Sequence, residues 1–159
     1  MPSEFLPLGF FGILILAIFA PYWLKTKDLK KISSKDLPPN GDWAKLSRGN
    51  IYYRWHYPEQ KNGQTIIMVH GFSTPSFVWN GLLNGLLKKG YSVLVYDHYG
   101  RGFSERPRTK YTLDFYVETL KELIAHQSID EKIHLVGYSM GGPITVSYTH
   151  LTLPTKASV

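Results

Sequence analysis

The sequence contains no cysteine. This absence excludes disulfides, cysteine nucleophiles and thiolate metal sites, although it does not identify the cellular compartment. The chain also lacks internal repeats and low-complexity tracts. Charged residues make up only 19% against 43% hydrophobic residues, which is a globular composition. The 159 residues are enough for one domain.

Charge is also absent from residues 5–24, which read FLPLGFFGILILAIFAPYWL. A helix of this length would measure about 30 Å, the thickness of the hydrocarbon core of a bilayer. Tyr22 and Trp23 lie at one end, where an aromatic belt is expected. Residues 1–24 are therefore predicted to be an uncleaved transmembrane anchor. A cleaved signal peptide is the alternative, although no lysine or arginine precedes the apolar run.

The net charge of +6 is concentrated locally. Five lysines follow the apolar run, namely Lys25, Lys27, Lys30, Lys31 and Lys35. Residues 25–41 therefore read as a basic juxtamembrane linker, and the positive-inside rule places the following domain in the cytoplasm. Export through a signal peptide is the alternative location. No basic stripe with interleaved aromatics is present, so nucleic acid is not an expected partner.

Residues 42–145 alternate between strand and helix patterns, which predicts an α/β fold with a parallel sheet between two helical layers. The predicted strands are residues 50–58, 64–71, 91–97 and 132–139. A helix is predicted over residues 76–89. A second helix should begin after Thr112 as N-cap, and its predicted buried face comprises Leu113, Tyr116, Val117, Leu120, Leu123 and Ile124. Catalytic residues of such folds lie where the strands end.

Residues 137–142 read GYSMGG directly after the last predicted strand. This G-x-S-x-G pattern is typical of a tight strand-to-helix turn that projects a serine hydroxyl from the sheet. Gly137 and Gly141 are needed because side chains there would collide with the crossing strand and helix. Ser139 is therefore the predicted nucleophile.

His70, Gly71 and Phe72 follow an earlier buried strand. We interpret His70 as a buried structural histidine rather than a base. The backbone N–H groups of Phe72 and Met140 are the predicted donors of an oxyanion hole.

Residues 97–104 read DHYGRGFS after the next strand. The G-x-G within them lacks the third glycine of a nucleotide-binding loop. Asp97 is predicted to hold this turn by hydrogen bonds.

The order HGF, D-x-x-G-x-G-x-S and GYSMGG resembles the α/β-hydrolase fold family over residues 43–145, closest to its serine esterase and monoacylglycerol-lipase-like branch. The resemblance implies a Ser–His–Asp enzyme that cleaves small-molecule or lipid esters through an acyl-enzyme, with no cofactor and no metal. Epoxide hydrolases and haloalkane dehalogenases of this fold carry a carboxylate where Ser139 stands, so they are disfavoured. Carbon–carbon-bond hydrolases, perhydrolases and aminopeptidases remain alternatives.

The acid and the histidine that the family places after its serine are absent from this chain. No acidic residue follows Glu131, and the only histidine after Ser139 is His150. A helix would carry His150 about 15 Å from Ser139, so it is not predicted to be the base. We therefore expect a truncated enzyme that is inactive as it stands. A non-catalytic, membrane-anchored binding module is the alternative outside the enzymes.

Residues 146–159 are predicted to be a non-native tail. Their first ten residues, VSYTHLTLPT, resemble the translation of a transposase mosaic-end adapter used in sequencing libraries. The stretch is rich in threonine and β-branched residues and contains Pro154, so it is a poor match to the long helix expected after the serine turn.

Overall fold

The computed structural model describes residues 6–26 and 33–152. The chain divides into two compact units, residues 1–33 and 34–159. The first unit contains helix α1, Leu6–Thr26, with Pro21 inside it. The search of residues 6–26 and 33–152 for membrane spans found no helix long and apolar enough to cross a bilayer. The transmembrane anchor therefore stays a prediction from the sequence.

The second unit is built on a five-stranded mixed sheet in the order β1-β2-β4-β3-β5. The strands are β1 Gly41–Leu46, β2 Gly49–His56, β3 Thr65–Val69, β4 Ser92–Tyr96 and β5 Ile133–Gly137. β3 pairs in parallel with β4 and β5, as predicted. The β1–β2 and β2–β4 pairs are antiparallel, so the prediction of a wholly parallel sheet is wrong. Its first two strands form a hairpin, and a connection that short permits only antiparallel pairing.

Helices cover both faces of this sheet, which confirms the three-layer arrangement. Successive residues of β3 and β4 point to opposite faces because side chains alternate along a strand. On one face, Met68 and Val95 pack with Trp79 and Leu83 of the helical segment between β3 and β4. That segment comprises a 3-10 turn, Ser76–Trp79, and helix α2, Asn80–Lys88. The opposite face packs against helices α3, Leu113–His126, and α4, Gly141–Thr152.

Helix α3 begins where the sequence predicts. The Thr112 side chain accepts a hydrogen bond from the Phe115 N–H and caps the helix. Five of the six residues predicted for its buried face are buried, but Leu113 is 43% exposed. Leu113 is the first residue of the helix and precedes the stripe that begins at Tyr116, so the sheet does not reach it.

Helix α4 includes residues 146–152, which belong to the stretch predicted to be a poor match to a long helix. It continues to Thr152, and Ile144 within it is fully buried. Its threonines are accommodated because their hydroxyls donate to carbonyls one turn earlier, with Thr145 bonding to Gly142 O and Thr149 to Thr145 O, both at 2.8 Å. Residues 153–159, including Pro154, lie outside the described residues.

Candidate active site

The serine of the G-x-S-x-G sequence lies on a tight turn between β5 and α4. Ser139 is exposed and has a φ of 52°, in the left-handed region that non-glycine residues rarely adopt. Two hydrogen bonds close the turn, from Gly141 N–H to Tyr138 O at 2.9 Å and from Gly142 N–H to Ser139 O at 3.0 Å. The turn is therefore held in a strained conformation, as functional turns often are.

The two glycines that flank the serine are required by close backbone approach, as predicted. A Cβ on Gly141 would collide with the carbonyl oxygen of Val69 at the end of β3. A Cβ on Gly137 would collide with the backbone of Gly141 at the start of α4. Neither obstacle is the end of a flexible side chain, so neither can move aside cheaply.

The turn after β3 lies directly against the serine. A Cβ built on Gly71 would be 3.0 Å from the Cβ of Ser139 and 3.3 Å from the carbonyl oxygen of Tyr138. The Tyr138 N–H also donates to Val69 O at 3.0 Å, which ties the two strand ends together. The residues predicted as nucleophile and as oxyanion loop are therefore neighbours.

His70 is fully buried and orients the peptide group of this turn. Its Nε2 accepts a hydrogen bond from the His98 N–H at 2.9 Å. In a neutral imidazole the proton must then sit on Nδ1, which lies 2.6 Å from Gly71 O and donates to it. Because the peptide bond is trans, the Phe72 N–H points away from the Gly71 oxygen. The N–H is thus directed away from His70.

Burial keeps both histidines neutral. It lowers the pKa of His70, and it lowers the pKa of His98 to about 3, with a further contribution from the neighbouring His70. The ring centroids of the pair are 4.2 Å apart. This environment agrees with the interpretation of His70 as a structural residue. His98 was not singled out from the sequence, because its partner is 28 positions away and no local pattern marks the pair.

The predicted oxyanion donors are the backbone N–H groups of Phe72 and Met140. Among the described residues, no acceptor is bonded to the N–H of Phe72 or of Met140. Both groups belong to turns that adjoin Ser139. Two free backbone donors beside a serine hydroxyl are the arrangement that stabilises an oxyanion.

Asp97 holds the turn after β4 by hydrogen bonds, as predicted. Its buried carboxylate accepts hydrogen bonds from Ser76 N–H at 2.7 Å and from Phe103 N–H at 3.0 Å. Its own carbonyl accepts from the Ser104 hydroxyl at 2.6 Å. Asp97 therefore connects the loop before α2 to the loop after β4. The roles of Ser76 and Ser104 were not predicted, although Ser104 ends the D-x-x-G-x-G-x-S pattern.

The described residues supply no base for the serine. No described residue hydrogen-bonds to the Ser139 hydroxyl, and His150 is exposed nine residues along α4 from Gly141. A search of the same residues for clusters of metal-binding side chains found none. The described residues therefore place the predicted nucleophile near the predicted oxyanion donors, without a group that would deprotonate the serine.

Comparison with known proteins agrees with this arrangement. The model of the alpha/beta hydrolase fold family matches residues 64–158. A proline iminopeptidase from Thermoplasma volcanium is 32% identical over 107 residues, which cover 67% of this chain and 36% of that protein. An esterase from Exiguobacterium antarcticum superposes with a TM-score of 0.63 at 27% identity, covering 70% of this chain and 40% of that one. A bromoperoxidase from Bacillus anthracis gives 0.60 at 28% identity, covering 68% and 38%. The chain spans 28% to 37% of the length of the curated relatives that it matches.

Proposed function

We propose that this chain, which belongs to the α/β-hydrolase fold family, is the nucleophile-bearing part of a serine hydrolase that cleaves carboxylic esters. The observation that carries the proposal is Ser139 on its strained turn, next to two free backbone N–H groups. A serine in this setting can attack a carbonyl while the N–H groups receive the negative charge.

The proposed reaction has two steps. The Ser139 oxygen attacks the carbonyl carbon, its proton passes through a base to the leaving alcohol, and an acyl-enzyme forms. Water then attacks the acyl carbon and gives a proton to the base, the bond from the acyl carbon to the Ser139 oxygen breaks to release the carboxylic acid, and the base returns the proton to the serine. The N–H groups of Phe72 and Met140 stabilise the oxyanion of both tetrahedral intermediates. We propose that the acid and the histidine of this triad lie outside the described residues, and that residues 146–159 are not native.

Two observations favour esters over the other reactions of this fold. An esterase is among the solved structures that this chain resembles. The aromatic side chains of Phe72 and Tyr138, which belong to the two neighbouring turns at Ser139, are 61% and 52% exposed, and Trp79 meets Tyr138 edge-on. Apolar walls of this kind suit an acyl or alkyl chain, so lipid-derived esters such as monoacylglycerols are the proposed class.

A substrate panel tests this choice. The complete gene product should hydrolyse nitrophenyl acetate, butyrate and octanoate, with kcat/KM rising as the acyl chain covers more of the aromatic wall. It should hydrolyse prolyl nitroanilide only weakly, which tests the aminopeptidase alternative. It should also show little activity in a peroxide-dependent halogenation assay, which tests the perhydrolase alternative. Faster turnover in either of the last two assays would contradict the ester assignment. No turnover in any assay would favour the non-catalytic binding module.

We also propose that the N-terminal segment attaches the protein to a membrane with the hydrolase unit in the cytoplasm. The support is the uncharged run over residues 5–24 and the lysines that follow it. Alkaline carbonate extraction should leave the protein in the membrane pellet, and protease added to intact cells should not digest residues 34–145. Release of a shorter soluble form would show a cleaved signal peptide instead.

A further inference from the structure

Arg101, on the loop after β4, is bound to the residue that carries one of the proposed oxyanion donors. Its Nε donates to the Phe72 carbonyl oxygen at 2.5 Å. Its guanidinium also lies over the Phe72 ring, 4.2 Å from the ring centroid. One side chain therefore holds both the carbonyl group and the aromatic ring of Phe72.

The Arg101 guanidinium donates hydrogen bonds to backbone carbonyls and forms no ion pair with a described residue. Its Nη1 donates to Gly100 O at 2.9 Å, which steadies the arginine on its own loop. Within residues 6–26 and 33–152, the ion pair between Lys121 and Glu118 is the one observed, and Arg101 has no carboxylate partner. A half-buried arginine without an acid beside it is accounted for by its bonds to carbonyls and to an aromatic face.

These contacts complete a set that fixes the Phe72 N–H. His70 holds the peptide plane on the amino side of Phe72 through Gly71 O. Arg101 holds the carbonyl on the other side and the side chain. The peptide group before Phe72, its carbonyl group and its side chain are therefore all restrained by contacts. The direction of the Phe72 N–H is restrained as a result. A donor that is already aligned costs no reorganisation when the oxyanion forms.

We propose that Arg101 is a positioning residue that holds the Phe72 N–H toward the oxyanion formed at Ser139. This inference rests on the proposed function of Ser139 as nucleophile. The competing role for a cation at this place is direct binding of an anionic substrate group, and the kinetic parameters separate the two roles. Loss of positioning lowers kcat, whereas loss of substrate binding raises KM.

The kinetic test uses Arg101→Ala in the complete gene product. We expect kcat on a nitrophenyl ester to fall about tenfold while KM changes less than about twofold, since the donor remains but is no longer aligned. Arg106→Ala is the matched control, because Arg106 lies on the same loop but donates to the carbonyls of Ser104 and Gly102. It should leave both parameters near those of the unmodified enzyme. An unchanged kcat, a rise in KM alone, or an equal loss in Arg106→Ala would overturn the proposal.

A second measurement does not depend on turnover. With 4-fluorophenylalanine at position 72, the fluorine NMR resonance should shift in Arg101→Ala and stay in place in Arg106→Ala. An unmoved resonance in Arg101→Ala would show that the arginine does not hold the ring. Turnover that persists in Ser139→Ala would instead overturn the proposed function. The role of Arg101 in catalysis would then be overturned too, independently of the fluorine resonance.

Discussion

Ser139→Ala should reduce ester hydrolysis by the complete gene product by roughly four to six orders of magnitude. Serine hydrolases lose activity on this scale when the nucleophile alone is removed, because the base and the oxyanion hole then have no attacking oxygen to act on. A fluorophosphonate probe, which forms a covalent bond to an activated serine, should label the unmodified enzyme and not the variant. The measurement is gel fluorescence of the labelled protein together with the nitrophenyl ester assay.

The substitution should leave the fold intact. Ser139 is exposed, and no described residue bonds to its hydroxyl, so no structural hydrogen bond is lost. Alanine and serine both carry a Cβ, so the strain at a φ of 52° is present in both. The urea midpoints of the two proteins should therefore agree. Equal labelling of both proteins would show that Ser139 is not the nucleophile.

The geometry of the serine turn could be predicted because its requirements are local. A serine between two glycines, directly after an apolar strand, satisfies the turn within five residues. The collisions that a Cβ would meet at Gly137 and Gly141 confirm the reason for both glycines. Thr112 was predictable on the same grounds, since an N-cap acts within its own helix turn.

Other features could not be predicted because they depend on partners far away in sequence. The hydrogen bond from the His98 N–H to His70, which determines the tautomer of His70, joins the residues that follow β3 and β4. The hydrogen bond from Arg101 to the Phe72 carbonyl joins residues 29 positions apart. The local sequence G-R-G does not indicate this role for the arginine. The antiparallel placement of β2 beside β4 likewise depends on which strand occupies the edge. Such pairings are decided by tertiary packing rather than by local sequence.

Helix α4 shows the limit of arguing from residue preference. Threonine and β-branched residues are weak helix formers, so residues 146–155 were predicted to be a poor match to the long helix expected after the serine turn. The loss is a few tenths of a kcal/mol for each residue, whereas burying an isoleucine gains about 2 kcal/mol. Ile144 is fully buried against the sheet and Tyr148 packs on the same cluster. Packing of Ile144 and Tyr148 therefore offsets the low helix propensity in the first part of α4, whereas Val146 and Leu151 remain exposed.

Gly141→Ala should be the most damaging single-methyl change at the site. The added Cβ would overlap the carbonyl oxygen of Val69 and lie 2.9 Å from that of His70, both of them backbone atoms at the end of β3. Relief requires α4 to move away from the sheet, which would uncover Ile144 and displace the serine turn. We expect the free energy of unfolding to fall by about 3 kcal/mol or more, at the upper end of overpacking effects.

Gly142→Ala is the matched control, one position further along the same helix. A Cβ on Gly142 meets no atom within 4 Å apart from its chain neighbours and the backbone of its own helix, and Gly142 does not need a positive φ. Alanine also restricts the unfolded chain more than glycine does, so the free energy of unfolding should stay within about 1 kcal/mol of the unmodified protein or rise. Urea titration of the two variants measures the difference, and the nitrophenyl ester assay should show activity lost in Gly141→Ala alone. If both variants unfolded at the same urea concentration, the close approach of α4 to β3 would not be what holds the nucleophile in place.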